Sequence, residues 1–189
     1  MVLKFRELTD CAELFELMQH PDVFPYVRQK TVHFDEFLFS TKQIIELEEQ
    51  GNIISRTITN EFGTPIGTIS LFDVETGYGF LGTWLGKPYH GKGYNQVAKE
   101  TFFSELFFDL DIESVFLKIR KANERSIAAA AKLPYAFCAD EIRPDLLAEI
   151  NSGDVEYALY EVSKSSFQLY LHSLHAPEFD HSYEAQLEA

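Results

Sequence analysis

The middle of the chain, residues 53–85, constrains the fold more than any other segment. Three runs there are rich in β-branched and aromatic residues, and short turns that contain Asn60, Gly63 and Gly77 separate them. Runs bounded by turn residues predict β-strands, and connections this short join antiparallel neighbours. The sequence therefore predicts an antiparallel meander with strands at 53–59, 65–72 and 78–85.

Helical patterns flank this meander on both sides. Apolar residues recur at helical spacing in two segments before it, and again after Gly91 and after Asn123. A strand pattern at 114–119 follows the helix that Gly91 opens, so a strand, helix, strand unit and a mixed α/β sheet are expected. The other predicted elements are a strand at 2–8, helices from Thr9 or Asp10 to His20, at 34–50 and at 123–132, and strands near 135–142 and 155–162 around an irregular excursion at 144–153.

Length and charge exclude several classes of protein. With 189 residues the chain is expected to form a single domain. Its 16 basic and 30 acidic residues give 16 − 30 = −14, and a surface of this sign repels nucleic acid and anionic lipid. No apolar run approaches the roughly 18 residues of a membrane span, and residues 1–10 do not resemble a signal peptide. Cys11 and Cys138 match neither a disulfide framework nor a zinc site, so we expect a cytoplasmic protein without a bound metal.

The segment 82–95 joins a predicted strand to a predicted helix through a turn that contains Gly91 and Gly93. Unpaired N–H groups at a helix start attract phosphate, and glycine lets a phosphate approach the backbone closely. The segment lacks both the P-loop pattern and the third glycine of a dinucleotide fingerprint. It is therefore a candidate anion cradle, although the same glycines are also typical of a plain tight turn.

Further motifs follow one another in a fixed order along the chain. They are the opening at 7–27 with H-P-D-V-F at 20–24, the pattern G-x-x-I-G-x-I-x-L at 63–71, Trp84-Leu85 followed by Gly91-Lys92-Gly93-Tyr94, and Asn123-Glu124-Arg125-Ser126. Together they resemble the GNAT superfamily of N-acetyltransferases, and within it the branch of ribosomal-protein N-terminal acetyltransferases. The resemblance extends over nearly the whole chain to about Val162.

The resemblance implies a fold and a domain organisation. The fold is α/β (α+β), a GNAT-like mixed and mostly antiparallel sheet of about six to seven strands flanked by about four helices. One acetyltransferase domain would cover residues 1–162. Residues 163–189 would form a C-terminal tail, either a short docking helix or a loose segment.

The resemblance also implies an acyl-CoA cosubstrate, acetyl-CoA. The backbone N–H groups of residues 90–95 would hold its pyrophosphate, and Lys92 would add charge at the rim. Main-chain groups of Trp84 and Leu85 would pair with the pantetheine arm as an added strand would. The residues implied in cofactor binding are Trp84, Leu85, His90, Gly91, Lys92, Gly93, Tyr94, Asn95, Asn123 and Ser126.

Some of these residues have simpler interpretations. Asn123 and Ser126 lie one helical turn apart and would face the same cofactor arm, but Asn123 is also a typical N-cap and Ser126 a typical first-turn residue. Trp84 is equally typical of a core aromatic residue. The sequence leaves these alternatives open.

Two departures from the family pattern affect the predicted chemistry. Ala130 stands where many members have a tyrosine that gives a proton to the leaving thiolate, so the resemblance transfers that role to Ser126. Leu133-Pro134-Tyr135 stands where Leu-Gly-Phe is usual, which replaces a permissive glycine by a residue with fixed φ. A carboxylate would suit the role of general base for the amine. We expect Glu75 and Glu141 to be the catalytic carboxylates, from a candidate set of Asp73, Glu75, Asp140 and Glu141.

The function predicted from these features is acetyl transfer to a primary amine, by direct attack in a ternary complex. The alternatives are a non-catalytic acyl-CoA binding module and an interaction domain whose glycine turn binds nothing. The acceptor is expected to be a protein N-terminus or a small amine, and the acidic surface is compatible with a cationic one such as a polyamine. A homodimer that uses a sheet edge or the tail is a further expectation.

Overall fold

Alternating apolar residues in the central runs build one seven-stranded sheet. The computed structural model describes residues 1–174. Its strands are β1 (Val2–Phe5), β2 (Ile54–Thr59), β3 (Pro65–Glu75), β4 (Tyr78–Leu85), β5 (Ser114–Arg120), β6 (Phe137–Cys138) and β7 (Tyr157–Ser163). Its α-helices are α1 (Cys11–Met18), α2 (Phe34–Glu49), α3 (Tyr94–Ser104), α4 (Glu124–Ala130), α5 (Pro144–Ile150) and α6 (Lys164–Leu174).

The strand order is β1-β2-β3-β4-β5-β7-β6, and every neighbouring pair is antiparallel except β4 and β5. Helix α3 connects these two parallel strands, since parallel neighbours need a crossover connection. The predicted meander and the strand, helix, strand unit are therefore confirmed, as is the mixed, mostly antiparallel sheet. The described residues contain six α-helices rather than about four. Helix α5 lies in the segment 144–153 that was predicted as an excursion between strands, and α6 lies at the start of the tail, for which a short docking helix was one of two alternatives.

Side chains on opposite faces of the sheet belong to different cores. Leu85 of β4 packs in the main core, which contains Phe102 and Phe103 of α3, whereas its neighbour Trp84 packs against the cluster of α1 and α2. Phe167 of α6 is fully buried in the main core. The first part of the predicted tail is thus a helix packed on the sheet, and residues 175–189 lie outside the described residues.

The predicted start of the first helix is confirmed in position, since Asp10 is the N-cap residue of α1. The Asp10 side chain does not cap the helix, because its carboxylate instead accepts a hydrogen bond from Lys4 Nζ at 2.8 Å. One local prediction is wrong. The strand predicted at 135–142 is reduced to the two residues of β6. Asp140 ends it, since its Oδ1 accepts the N–H of Leu159 at 2.8 Å where a strand would use a backbone carbonyl.

The unusual Leu133-Pro134-Tyr135 segment forms a compact turn. The N–H of Ala136 donates to the carbonyl of Leu133 at 3.2 Å, so Pro134 occupies the second position of a hydrogen-bonded turn. The fixed φ of proline favours that position. Tyr135 is fully buried in the main core among the rings of Phe103 and Phe167. The proline therefore shapes the turn without removing the following ring from the core.

Candidate functional site

Strands β4 and β5 separate after a short contact. Their parallel ladder contains three residue pairs, from Tyr78 opposite Ser114 to Phe80 opposite Phe116. Beyond them β4 continues to Leu85 and β5 to Arg120 without pairing to each other. The facing edges of the two strands thus form a wedge. Unpaired main-chain groups at such an edge can accept an additional extended chain.

The loop after β4 presents a row of unpaired donors. The N–H groups of five successive residues, Gly91 to Asn95, donate to no acceptor in residues 1–174. Pairing resumes at Gln96, whose N–H donates to the carbonyl of Gly93 at 3.1 Å. Gly91 and Gly93 have φ of +71° and +82°, a conformation that side chains with a Cβ rarely adopt. These glycines hold the loop so that its donors stay free at the start of α3.

Three side chains fix the shape of this loop. His90 donates from Nε2 to the carbonyl of Leu85 at 2.8 Å, while its Nδ1 is buried and has no hydrogen-bond partner in the described part of the chain. Tyr94 donates from its hydroxyl to Glu61 at 2.7 Å, and this hydrogen bond raises the pKa of Tyr94. Lys92 is exposed, with Nζ 5.9 Å from the ring centre of Tyr89. His90 and Tyr94 therefore attach the loop to the rest of the domain, and Lys92 adds a positive charge at its rim.

The N-terminus of α4 lies beside the wedge as well. Because β4 and β5 are parallel, their C-terminal ends lie at the same end of the sheet. Asn123 and the 90–95 loop, which follow these strands, therefore lie at that same sheet edge. Asn123 Oδ1 accepts the N–H of Ser126 at 3.3 Å, so the N-cap interpretation is confirmed. The Ser126 hydroxyl has no hydrogen-bond partner within residues 1–174, whereas Ala130 is buried in the main core.

The two carboxylates predicted as catalytic lie at different places. Glu75 pairs with Tyr78 beside the β3–β4 turn. It therefore lies at the N-terminal end of β4, whereas Leu85 lies at the C-terminal end. Glu141 is exposed just after β6, at the same sheet edge as Asn123 but two strands, about 10 Å, away from β5. The structure therefore does not bring either carboxylate into direct contact with the wedge. Their catalytic role stays a prediction, and at these positions it requires a water relay.

A cavity of about 70 Å³ opens on the other face of β4, between the sheet and α2. This volume holds several water molecules or one small polar group. Its lining includes four aromatic rings and several hydroxyls, together with Arg6 just after β1 and Arg28 at the mouth. The lining residues on the sheet are Thr68, Ser70, Phe72, Gly82, Thr83 and Trp84.

The strand register explains why this face is rich in hydroxyls. Trp84 lies opposite Thr68, which lies opposite Thr57, and Gly82 lies opposite Ser70. Alternate residues of neighbouring strands share one face, so hydroxyl residues at every second position form one polar surface. From the other side, α2 contributes Thr41, whose Oγ1 accepts a hydrogen bond from Arg6 Nη2 at 3.3 Å.

Sequence reasoning missed this cavity, including Arg6. The alternation of Ser55, Thr57 and Thr59 with larger residues in β2 was a usable signal, since it predicts a strand with a polar face. Nothing comparable marks Arg6, which looks like a surface residue next to Glu7.

Two further searches of the described residues gave negative results. In residues 1–174, no group of three or more His, Cys, Asp or Glu is placed to hold a metal ion. No helix in the same range has the length and apolar character needed to cross a membrane.

Comparison with known proteins places this geometry in a family. A family model described as "Acetyltransferase (GNAT) domain" matches residues 2–135. This range contains the meander, the wedge, the 90–95 loop and the start of α4. No curated protein matches the chain.

Several solved structures share the fold at low sequence identity. A chimera of spermidine N-acetyltransferase SpeG from Vibrio cholerae and hSSAT has a TM-score of 0.70 at 13% identity, over 88% of this chain and 97% of that chain. RimL, a ribosomal L7/L12 α-N-protein acetyltransferase, has a TM-score of 0.70 at 18% identity, over 85% and 88%. The microcin C7 self-immunity acetyltransferase MccE, in complex with acetyl-CoA and AMP, has a TM-score of 0.66 at 16% identity, over 85% and 91%. At these identities the similarity establishes the fold.

Proposed function

Because this chain belongs to the GNAT family of acetyltransferases, we propose that it transfers an acetyl group from acetyl-CoA to a primary amine, a protein N-terminus or a small amine. The observation that carries this proposal is the row of five unpaired N–H groups from Gly91 to Asn95, directly after a strand whose edge is unpaired. Phosphate oxygens suit the donors, and an extended amide-containing arm suits the edge. Few small molecules other than a coenzyme A thioester combine these two groups.

The loop and the strand edge have separate roles in this proposal. The free N–H groups of residues 91–95 would bind the pyrophosphate, with the exposed Lys92 as a charge beside it, whereas the His90 N–H already donates to the carbonyl of Lys87 at 3.2 Å. The main chain of Trp84 and Leu85 would align the pantetheine arm in the wedge. Asn123 and Ser126, at the same sheet edge, would face that arm from the other side. When bound, acetyl-CoA supplies an activated thioester carbonyl.

Transfer would proceed by direct attack in a ternary complex. The amine nitrogen forms a bond to the carbonyl carbon, the carbon–sulfur bond breaks, and the ammonium proton must leave to a base. We propose Glu75 or Glu141, acting through water, as that base, and the Ser126 hydroxyl as the group that protonates the thiolate. The buried Cys11 and the exposed Cys138 on β6 are poorly placed for an acyl-enzyme intermediate.

Acetyl-CoA binding is tested by thermal unfolding with and without acetyl-CoA. Ligand at about 100 times its Kd adds about 2.7 kcal/mol of stability, which raises the Tm of a domain of this size by several degrees. In Gly91→Asp the added carboxylate repels the pyrophosphate, so the shift is expected to disappear. Gly51→Asp is the matched control, since Gly51 also has positive φ and open space around it but follows α2.

Turnover is tested separately by the release of free CoA with a panel of amines. Release with at least one amine supports catalysis. A Tm shift without release from any amine would favour the non-catalytic acyl-CoA binding module, whose specific support is the buried Ala130 in place of a tyrosine. No Tm shift in the folded wild type would refute both functions.

We further propose a cytoplasmic location, on the grounds of composition and cysteine usage. We also propose a homodimer that uses a sheet edge or the tail.

A further inference from the structure

Arg6 carries a buried charge that forms no ion pair within residues 1–174. Its side chain is 7% exposed, and its one side-chain hydrogen bond within residues 1–174 goes to the neutral hydroxyl of Thr41. Its Nε is buried without any partner in the same range. Burial lowers the pKa of the Arg6 guanidinium, because desolvation penalises the charged form. Buried charges in proteins are normally paired, so an unpaired one at a cavity wall indicates a missing anion.

The nearest carboxylates do not supply that anion. Asp10 and Glu48 contribute to the field at Arg6, but no carboxylate of the described residues lies within 4.0 Å of its nitrogens. Asp10 is paired with Lys4 through Oδ1 at 2.8 Å, although its Oδ2 is buried without a hydrogen-bond partner in residues 1–174, and Glu48 is paired with Arg56. Both acids are therefore paired with other cations, and neither forms an ion pair with Arg6.

The rest of the cavity wall also favours an anion over a cation. No acidic residue of the described part of the chain lines the cavity, whose charged lining residues are Arg6 and Arg28. Arg28 is held at the mouth by Asp73 at 2.7 Å and lies over the ring of Phe72 at 4.2 Å. A polyamine would bring several ammonium groups to a wall that carries two arginines, and the carboxylate at the mouth, Asp73, is already paired with Arg28.

The cavity also leads to the proposed reaction site. Its sheet wall ends at Gly82, Thr83 and Trp84, and this segment of β4 lies beyond the last β4–β5 pair. A molecule whose charged end binds Arg6 would therefore extend along the hydroxyls of Thr68 and Ser70 toward the wedge.

We propose that the acceptor is a small primary amine that also carries an oxyanion, a carboxylate or a phosphate, and that Arg6 is the residue that binds the oxyanion. This inference rests on the proposed acetyltransferase function and narrows its substrate class. The guanidinium fork matches either oxyanion, and the Thr41 hydroxyl that Arg6 already contacts offers a further donor. The amine then lies at the Trp84 end, about 20 Å along β4 from Tyr78 and its partner Glu75, so this placement leaves Glu141 as the candidate base. Polyamines are poor acceptors.

Matched pairs of amines test the proposal through CoA release. The pairs are α-amino acids with their carboxamides, β-alanine with β-alaninamide, and phosphoethanolamine with ethanolamine, and spermidine is included as the polyamine. In the wild type, kcat/KM for the preferred oxyanion member is expected to exceed that of its neutral partner about tenfold or more. Arg6→Met should abolish this preference. Lys42→Met, which removes an exposed charge on α2, should retain it.

A binding arm separates this inference from the proposed function. Thermal unfolding with the same amines, without acetyl-CoA, is expected to show a Tm rise for oxyanion members that is absent in Arg6→Met. That rise supports the acceptor class even if no amine releases CoA, a result that would refute only the acetyltransferase function. Equal turnover of neutral and oxyanion members, faster turnover of spermidine, or no Tm rise with any oxyanion member would overturn the inference. The carboxylate and phosphate pairs show which oxyanion is bound.

Discussion

Arg56 and Arg6 allow a direct test of how this protein uses buried charge. Arg56 on β2 is 5% exposed, forms ion pairs with Glu48 and Glu105, and lies over the ring of Phe5 at 4.1 Å. Burial opposes its charge, but the hydrogen bonds with Glu105 and Glu48 outweigh burial and raise the pKa of Arg56. Arg6 is buried to a similar degree without a carboxylate partner. Replacing each arginine with methionine keeps an apolar stem in place and removes the guanidinium with its charge and its hydrogen bonds.

The expected costs differ because of what each substitution leaves behind. Removing one partner of a buried ion pair typically costs about 3–5 kcal/mol, since the other charge stays buried and unpaired. Glu48 and Glu105 retain 18% and 26% exposure, so water solvates them in part. We therefore expect Arg56→Met to cost about 2–3 kcal/mol, or about 4–12 °C in Tm for a domain of this size. Arg6→Met leaves no carboxylate unpaired and is expected to stay within about 1 kcal/mol of wild type.

Urea unfolding of both variants measures the two free energies. The double variant Arg56→Met/Glu105→Gln should regain part of the loss, because it removes one of the two unpaired charges. An Arg6→Met cost equal to that of Arg56→Met would refute the reasoning, since it would mean that Arg6 has a compensating partner. Full stability of Arg56→Met would refute it equally.

Four further predictions concern individual residues. Burial lowers the pKa of Lys99 to about 8 from 10.5, so the unfolded state binds more protons between those values, and Lys99→Met should be more stable than wild type at pH 7, by at most about 3 kcal/mol. This gain should shrink as pH rises from 8 to 10.5, and a pH-independent difference in urea unfolding would contradict the stated cause. Ser126→Ala should lower kcat about 100-fold or more without a change in Tm if the hydroxyl protonates the thiolate, whereas a loss below about threefold would remove it from the mechanism. Glu75→Gln and Glu141→Gln, assayed in the same way, test the base, and the true base variant should lose the acidic limb of the pH–rate profile. Gly67→Ala should lower Tm by several degrees, since a Cβ there lies 2.2 Å from the Trp84 carbonyl oxygen, and an unchanged Tm would mean that β3 and β4 can move apart at little cost.

The local parts of the site could be predicted, because short-range patterns encode them. The turn with Gly91 and Gly93 and the cap at Asn123 are each contained in a few residues whose backbone preferences are strong. The predicted strand at 135–142 failed because the Asp140 side chain takes the place of a backbone partner. No hydrophobic periodicity in the sequence reveals that a side chain will replace a backbone hydrogen-bond partner.

The cavity could not be predicted, because its wall combines distant parts of the chain. Arg6 follows β1, Thr41 lies on α2, and Trp84 lies on β4, so only the register of β1 to β4 brings them together. The burial of an arginine also depends on the packing of α2 across the sheet. A sequence with 30 acidic residues suggests a cationic partner, whereas the local charge of one cavity indicates the opposite.

The three-pair ladder between β4 and β5 has a mechanical consequence. It divides the sheet into two plates that share a short seam, the boundary between β4 and β5. One plate contains β1 to β4, and the other contains β5, β7 and β6. Backbone hydrogen bonds hold each plate together, whereas five of the eight residues of β4 and four of the seven residues of β5 are not paired across the seam, where the proposed cosubstrate would bind. When such a molecule binds between β4 and β5, it completes the hydrogen bonding of the sheet, although it is not part of the polypeptide. We therefore expect amide hydrogen exchange in β4 and β5 along the seam to become slower as the concentration of the bound small molecule rises.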